Sequence, residues 1–161
     1  MTLTLRAAGP VDADDIAALI TRAYRVEDFF VHGDRTNADD VRARMAKGQF
    51  LVLEDSSRTM AGCVYVVARG DRGYFGMLSI DPAHQRKGLG TQLVAAAEEH
   101  CRTAGCREIE IEVVNIRPEL PPFYHALGYR ECGVRPFPDV QRPKLPCHFI
   151  VMTRSLQLKE R

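Results

Sequence analysis

Between Tyr74 and Val114 the periodicity of the chain changes twice, and this restricts the fold more than any other feature of its 161 residues. Residues 74–80 form a β-rich run. After Pro82 the apolar positions move to helical spacing, with Leu89, Leu93, Val94, Ala97 and His100 or Cys101 on one stripe that ends before Gly105. Residues 107–114 then alternate, with Ile109, Ile111 and Val113 on one face and Glu108, Glu110 and Glu112 on the other. A long helix between two strands can return the chain so that they lie parallel, which a tight turn cannot do.

The remaining segments imply a different pairing. Runs 50–54, 61–67 and 74–80 are joined by short polar or glycine-containing turns, as in an antiparallel meander. Residues 3–6 are expected to form a first strand. Asp12, with Asp15 three residues on, is expected to cap a helix whose stripe is Ile16, Leu19, Ile20, Ala23 and Tyr24. A second helix is expected to start at Thr36, bury Val41 and Met45, and stop at Lys47 and Gly48. Beyond residue 114 the reading is a short helix over 122–127 capped by Gly128, then strands over 129–134 and 147–153 joined by a loop with four prolines. The expected class is α+β, loosely α/β: a central mixed, mostly antiparallel sheet flanked by helices, in one domain over residues 1–161.

The 22 basic residues face 21 acidic ones, so no global field draws the chain to nucleic acid or an anionic membrane. With 7% aromatic residues and no tryptophan, a base-stacking platform is also disfavoured. No stretch approaches the roughly 20 apolar residues of a membrane span, and the opening MTLTLRAAGP lacks the apolar core of a signal peptide, so the expected location is cytoplasmic. The expected partner is a small molecule. Five cysteines without a CxxC pair or a nearby histidine at ligand spacing read as free thiols, and no metal is expected. Cys101 and Cys106, five apart, are not neighbours on a helix and are not expected to form a joint site.

Residues 76–91 run strand, glycine-containing loop, helix. Gly88 and Gly90 let main-chain N–H groups approach an anion without a Cβ in the way, and the first helical turn adds unpaired donors and the positive end of its dipole. Arg86 and Lys87 add flanking positive charge, so the loop suits a pyrophosphate. A plain strand-to-helix turn can carry the same glycines. The Walker loop and the dinucleotide fingerprint are both excluded, the latter because Leu93 stands where its third glycine belongs.

Leu78-x-Ile80-x-Pro82 followed by Gln85-x-x-Gly88-x-Gly90 resembles the acetyl-CoA-binding motif of the GNAT superfamily of N-acetyltransferases. Downstream, Phe123-Tyr124-His125-Ala126-Leu127-Gly128-Tyr129 is similar to the family's FYxxLGF segment, and the element order fits the family fold over nearly the whole chain. The resemblance implies that the backbone of Leu78, Ser79 and Ile80 pairs with the pantetheine arm, with an N–H there stabilising the oxyanion. It further implies that Gln85, Arg86, Lys87, Gly88, Leu89, Gly90 and Thr91 hold the pyrophosphate, that Tyr124 is the general acid for the leaving thiolate, and that Asn115 contacts the cofactor. Acetyl-CoA is then the cosubstrate and a small-molecule or peptide amine the acceptor.

An amine attacks only when neutral. A lysine-like amine with pKa about 10.4 needs roughly 4–5 kcal/mol to deprotonate at pH 7, whereas an α-amine near 7.7–8.0 needs only about 1 kcal/mol. Glu112, which alternation sets opposite Ile111 and Val113, is the base candidate, with a solvated or ion-paired sheet residue as the bland alternative. Glu27 and Arg35, in the segment between the first two helices, and His148 on the last strand are candidates for acceptor binding. A non-catalytic acyl-CoA-binding or regulatory module is the rival function, and a peptide- or nucleic-acid-binding protein a weaker one. A strand edge near the C-terminus allows either a monomer or a homodimer.

Overall fold

The computed structural model describes residues 2–85, 87–138 and 143–157. Among them, seven strands form one sheet in the order β1-β2-β3-β4-β5-β7-β6. β1 (Thr4–Ala7), β2 (Gln49–Glu54), β3 (Met60–Arg69) and β4 (Arg72–Ile80) pair antiparallel in succession. β4 pairs parallel with β5 (Glu108–Val114), and β7 (His148–Ser155) runs antiparallel between β5 and β6 (Arg130–Pro136). Helices α1 (Ala13–Ala23) and α2 (Ala38–Met45) fill the β1–β2 connection, α3 (Leu89–Thr103) the β4–β5 crossover, and α4 (Leu120–Ala126) precedes β6. This is the mixed, helix-flanked α+β sheet expected from the change of periodicity. Among the described residues no helix is long and apolar enough to cross a membrane.

Both faces of the sheet's middle are covered, which is why β3 is buried from Met60 to Val67 rather than alternating. Val64, Val66, Phe75, Ile109, Ile111 and Val113 pack against Leu89, Leu93, Val94 and Ala97 of α3. On the other face Phe50, Val52, Cys63, Tyr65 and Val67 meet Ile16, Leu19 and Ile20 of α1 and Val41 of α2. A third, small cluster of Phe30, Val114 and Phe137 holds the segment after α1 against the end of β5.

Two details of β4 open the sheet. Cys63 pairs with Ser79 but Tyr65 with Gly76, so β4 carries one extra residue, and Met77 takes the left-handed value φ 53 to accommodate it. Phe75 and Leu78, three apart, therefore share the α3 face, while Met77 points to the α1 face. Pairing between β4 and β5 is confined to residues 72–74 against 108–110, so beyond Tyr74 and Glu110 the two strands part.

Three local expectations are corrected. Asp12 flanks α1 but does not cap it through its side chain; the carboxylate takes both arms of Arg6, at 2.8 and 2.9 Å, and the Gly9 N–H, a stronger charge-assisted set than one helix-end donor. The cap of α2 is Asn37, whose Oδ1 accepts from the Asp40 N–H at 2.8 Å, while Thr36 donates its hydroxyl to the Asp40 carboxylate. Cys101 and Cys106 do meet. The chain turns out of α3 after Thr103, so helical spacing no longer applies, and a Cβ added at Gly73 would strike Cys101 and lie 3.6 Å from the Cys106 sulfur. Burial pushes the Cys101 thiol up to about 12.

Candidate functional site

The loop leading into α3 forms one wall of a groove whose other wall comes from α1, the segment before α4, and α4. Asp81 sets the loop: Oδ1 accepts from the Ala83 N–H at 2.9 Å and Oδ2 from Arg22 at 2.9 Å. Gly88 then adopts φ 74, ψ 12, a left-handed conformation that glycine takes without penalty. The first bond of α3 runs from the Gln92 N–H to the Gly88 carbonyl at 3.1 Å, and no side chain caps the helix. The N–H groups of Leu89, Gly90 and Thr91 thus have no acceptor among the described residues, and they lie along the groove with Gln85 and Gly88. The buried Nδ1 of His84, in the same wall, also has no partner among the described residues.

Such a cradle fits a diphosphate, and the apolar stretch made by Leu78, Ile80, Leu120 and Phe123 continues it toward the parted strands. Lys87 is exposed beside the cradle, and Arg86 lies outside the described residues. Ser79 is almost fully buried and donates its hydroxyl to the Met77 carbonyl at 3.0 Å, so its side chain braces the bulge of β4. Asn115 directly follows β5. Its Oδ1 accepts from the His148 N–H at 2.8 Å and its own N–H donates to the His148 carbonyl at 2.9 Å, clasping the end of the β5–β7 pair. The His148 side chain is exposed at the start of β7.

Where β4 and β5 separate, a cavity of about 150 Å³ opens between residues 75–78 and 111–114 and is roofed by Tyr24 and Tyr124. Tyr124 packs its ring against Phe123, Tyr129 and Phe75, with centroids 4.9, 5.8 and 6.1 Å away. Its hydroxyl has no hydrogen-bond partner among the described residues, in contrast to Tyr129, which donates to Glu98 at 2.7 Å. Burial raises the pKa of Tyr124, so the phenol stays protonated at neutral pH. Tyr24 is pushed up to about 12 for the same reason.

Charge enters this cavity from Glu27, Arg35, Glu112 and Arg117. Glu27, 7% exposed, accepts from Arg117 through Oε2 at 3.0 Å, and Oε1 has no partner among the described residues. Burial raises the Glu27 carboxyl even though Arg117 works against it. At Arg117 burial acts to lower the guanidinium, and the hydrogen bond and charge of Glu27 together reverse that. Both pKa values are raised: burial disfavours both charged forms and the pair favours both, so burial prevails at the carboxyl and the pair prevails at the guanidinium. Arg35 stacks over the Tyr24 ring, 5.5 Å from its centroid. Glu112 forms a wall between this cavity and a larger polar one on the α2 side, where Arg135 approaches it at 3.4 Å.

Of the residues singled out in the sequence, the structure brings together Leu78, Ile80, Gln85, Gly88, Leu89, Gly90 and Thr91 along the groove and Glu27, Arg35, Glu112 and Tyr124 around the cavity. Sequence reasoning gave Arg117 no role. Tyr24 read as part of an apolar stripe, and Arg117 sits in an aperiodic stretch where nothing marks a buried partner 90 residues away. Among the described residues no group of three or more His, Cys, Asp or Glu side chains is arranged to hold a metal ion.

A family model described as Acetyltransferase (GNAT) family matches residues 14–129. Glucosamine 6-phosphate N-acetyltransferase 1 of Oryza sativa subsp. japonica is 30% identical over 109 residues, covering 63% of this chain and 64% of that protein. Mycothiol acetyltransferase of Clavibacter michiganensis subsp. michiganensis is 27% identical over 135 residues, covering 81% of this chain and 42% of that protein. The chain thus spans less than two thirds of the length of these relatives. Among solved structures, the ribosomal-protein-S18-alanine N-acetyltransferase of Escherichia coli superposes with a TM-score of 0.78 at 18% identity, covering 99% of this chain and 97% of its own. The structure of yncA from Salmonella typhimurium with its cofactor acetyl-CoA gives 0.74 at 19%, covering 100% and 98%. At this identity the likeness concerns the fold.

Proposed function

The chain belongs to the GNAT acetyltransferase family, and on that premise we propose that it moves an acetyl group from acetyl-CoA to a primary amine of a small molecule or peptide, by direct attack with both bound. One observation carries this reading. The groove at the head of α3 and the cavity under Tyr124 adjoin, with Tyr24, Leu78, Arg117, Leu120 and Phe123 in the walls of both. A ligand anchored by its diphosphate in the groove can therefore extend an apolar arm to the parted strands. The rice relative is named for an amino sugar phosphate, which is in keeping with N-acetylation.

Acetyl-CoA supplies the acetyl thioester. The main-chain donors of residues 88–91, with Gln85, Arg86 and Lys87, hold the diphosphate. The edge of β4 around Leu78, Ser79 and Ile80, released from β5, offers main-chain groups to the pantetheine arm and an N–H to the oxyanion. Tyr124, kept protonated by burial, donates its proton to the departing thiolate. Glu112 receives the proton of the attacking amine from the opposite wall, while Glu27 and Arg35 contact the acceptor. Asn115 and His148 hold the end of β5 against β7 and so keep Glu112 in place. We expect the chain to work in the cytoplasm as a monomer or homodimer.

A panel of amines with acetyl-CoA, read by the release of free CoA thiol, tests the reading. Transfer to at least one amine is expected. Tight acetyl-CoA binding without transfer to any amine would favour the non-catalytic module instead. With a verified acceptor, Tyr124→Phe should leave acetyl-CoA affinity within a few-fold and lower turnover at least tenfold, about 1.4 kcal/mol of barrier. Unchanged turnover would remove Tyr124 from the mechanism.

A further inference from the structure

Building on the acyl-transfer reading, we propose that the acceptor amine carries its own anionic group, a carboxylate or a phosphate, which Arg35 binds while the nitrogen faces Glu27. The argument starts from the charges around the cavity and the pocket beside it, formed by the segment after α1. Three arginines border these spaces. Arg117 is neutralised by Glu27 at 3.0 Å and Glu119 at 3.3 Å, and Arg25 by Asp34 at 3.1 Å. Arg35 has no carboxylate within salt-bridge distance among the described residues, although it is half-buried and lines both spaces.

A half-buried guanidinium that no carboxylate contacts directly can take an anionic ligand through charge-assisted hydrogen bonds. Its planar fork is also oriented in advance: stacked over Tyr24 at 5.5 Å, it loses little further freedom when it takes a carboxylate or phosphate through two parallel hydrogen bonds. Glu27 supplies the complementary end. Its Oε2 is committed to Arg117, but Oε1 is open to an ammonium on the same ligand. Tyr24, Glu27 and Arg35 belong to the walls of both the cavity and the adjoining pocket, so a ligand spanning the two meets the cation and the carboxylate together. An amine without an anionic group would satisfy only Glu27.

Calorimetry on the CoA-loaded protein, which requires no turnover, separates this idea from the acyl-transfer reading. The probes are two pairs that differ only in the anion, glucosamine 6-phosphate against glucosamine and L-alanine against L-alaninamide. In at least one pair the anionic member is expected to bind at least tenfold tighter, and the responding pair identifies phosphate or carboxylate. Arg35→Gln should erase that preference and leave CoA affinity within twofold, since Arg35 does not line the groove. The proposal is overturned if neither anionic probe binds at millimolar concentration, if the members without the anionic group bind equally well, or if the preference survives in Arg35→Gln. Failure of CoA itself to bind would strike the acyl-transfer reading instead, and the anion preference can then be read on the protein alone.

Discussion

The groove at the head of α3 and the cavity under Tyr124 share walls but are built from different materials. In the groove the donors are main-chain N–H groups, and their positions follow from one glycine conformation and the geometry of the first helical turn. The cavity is assembled from side chains of β4, β5, β7, α4 and three connecting segments, and its polar character comes from ionisable groups. Glu27 and Arg117, the pair at its edge, are 90 residues apart in sequence. A main-chain site should depend on backbone conformation and tolerate most side-chain changes. A side-chain site should depend on individual residues and on pairs that cannot be broken singly without stranding a charge.

The largest test of that contrast is Arg117→Ala. The side chains of Arg117 and Glu27 are only 17% and 9% exposed, so the variant leaves a buried carboxylate unpaired and should lose about 3 kcal/mol in denaturant unfolding. A loss below about 1 kcal/mol would put the pair among ordinary surface contacts. Next is Gly88→Ala. An added Cβ meets nothing within 4 Å, so the effect is conformational: about 1–2 kcal/mol for holding an L-residue in the left-handed region, together with weaker CoA binding. Unchanged stability and CoA affinity would mean that the cradle does not need this backbone geometry.

The smallest effect is a pH trend. Because burial raises the Glu27 carboxyl above its usual value, the folded state favours the protonated form; that contribution is complete below the unfolded pKa and is lost as pH rises through the folded one. Melting of Glu27→Gln against the native chain should therefore move in the variant's favour between pH 4 and pH 7. A shift in the opposite direction would mean that Arg117 outweighs burial at this carboxyl.

Local signals were the legible ones. The glycine-containing approach to α3, the crossover helix and the alternating β5 each occupy a contiguous stretch, where periodicity and backbone preference act over a few residues. Legibility failed where competing partners lay close together. Thr36 and Asn37 are both acceptable caps, and the outcome depended on Asp40 offering its N–H to one and its carboxylate to the other. Asp12 had the right residue type for a cap, yet Arg6 on β1 claimed it. Tyr124 stood out only through the family resemblance, since an aromatic on a short helix has the pattern of a core residue; its unpartnered hydroxyl, set against the committed one of Tyr129, distinguishes the two in the fold.

By itself the sequence determined the order of elements, the alternation of β5 and the loop that opens α3, because these follow from short-range preferences and the burial of apolar stripes. Only the tertiary structure decided where β4 and β5 part, that Glu27 is buried against Arg117, and that Arg35 faces the cavity without a carboxylate among the described residues. Those outcomes depend on which distant groups share a desolvated space. Charge interactions there extend over several ångströms and are set by the packing of many elements, so no window of the chain encodes them.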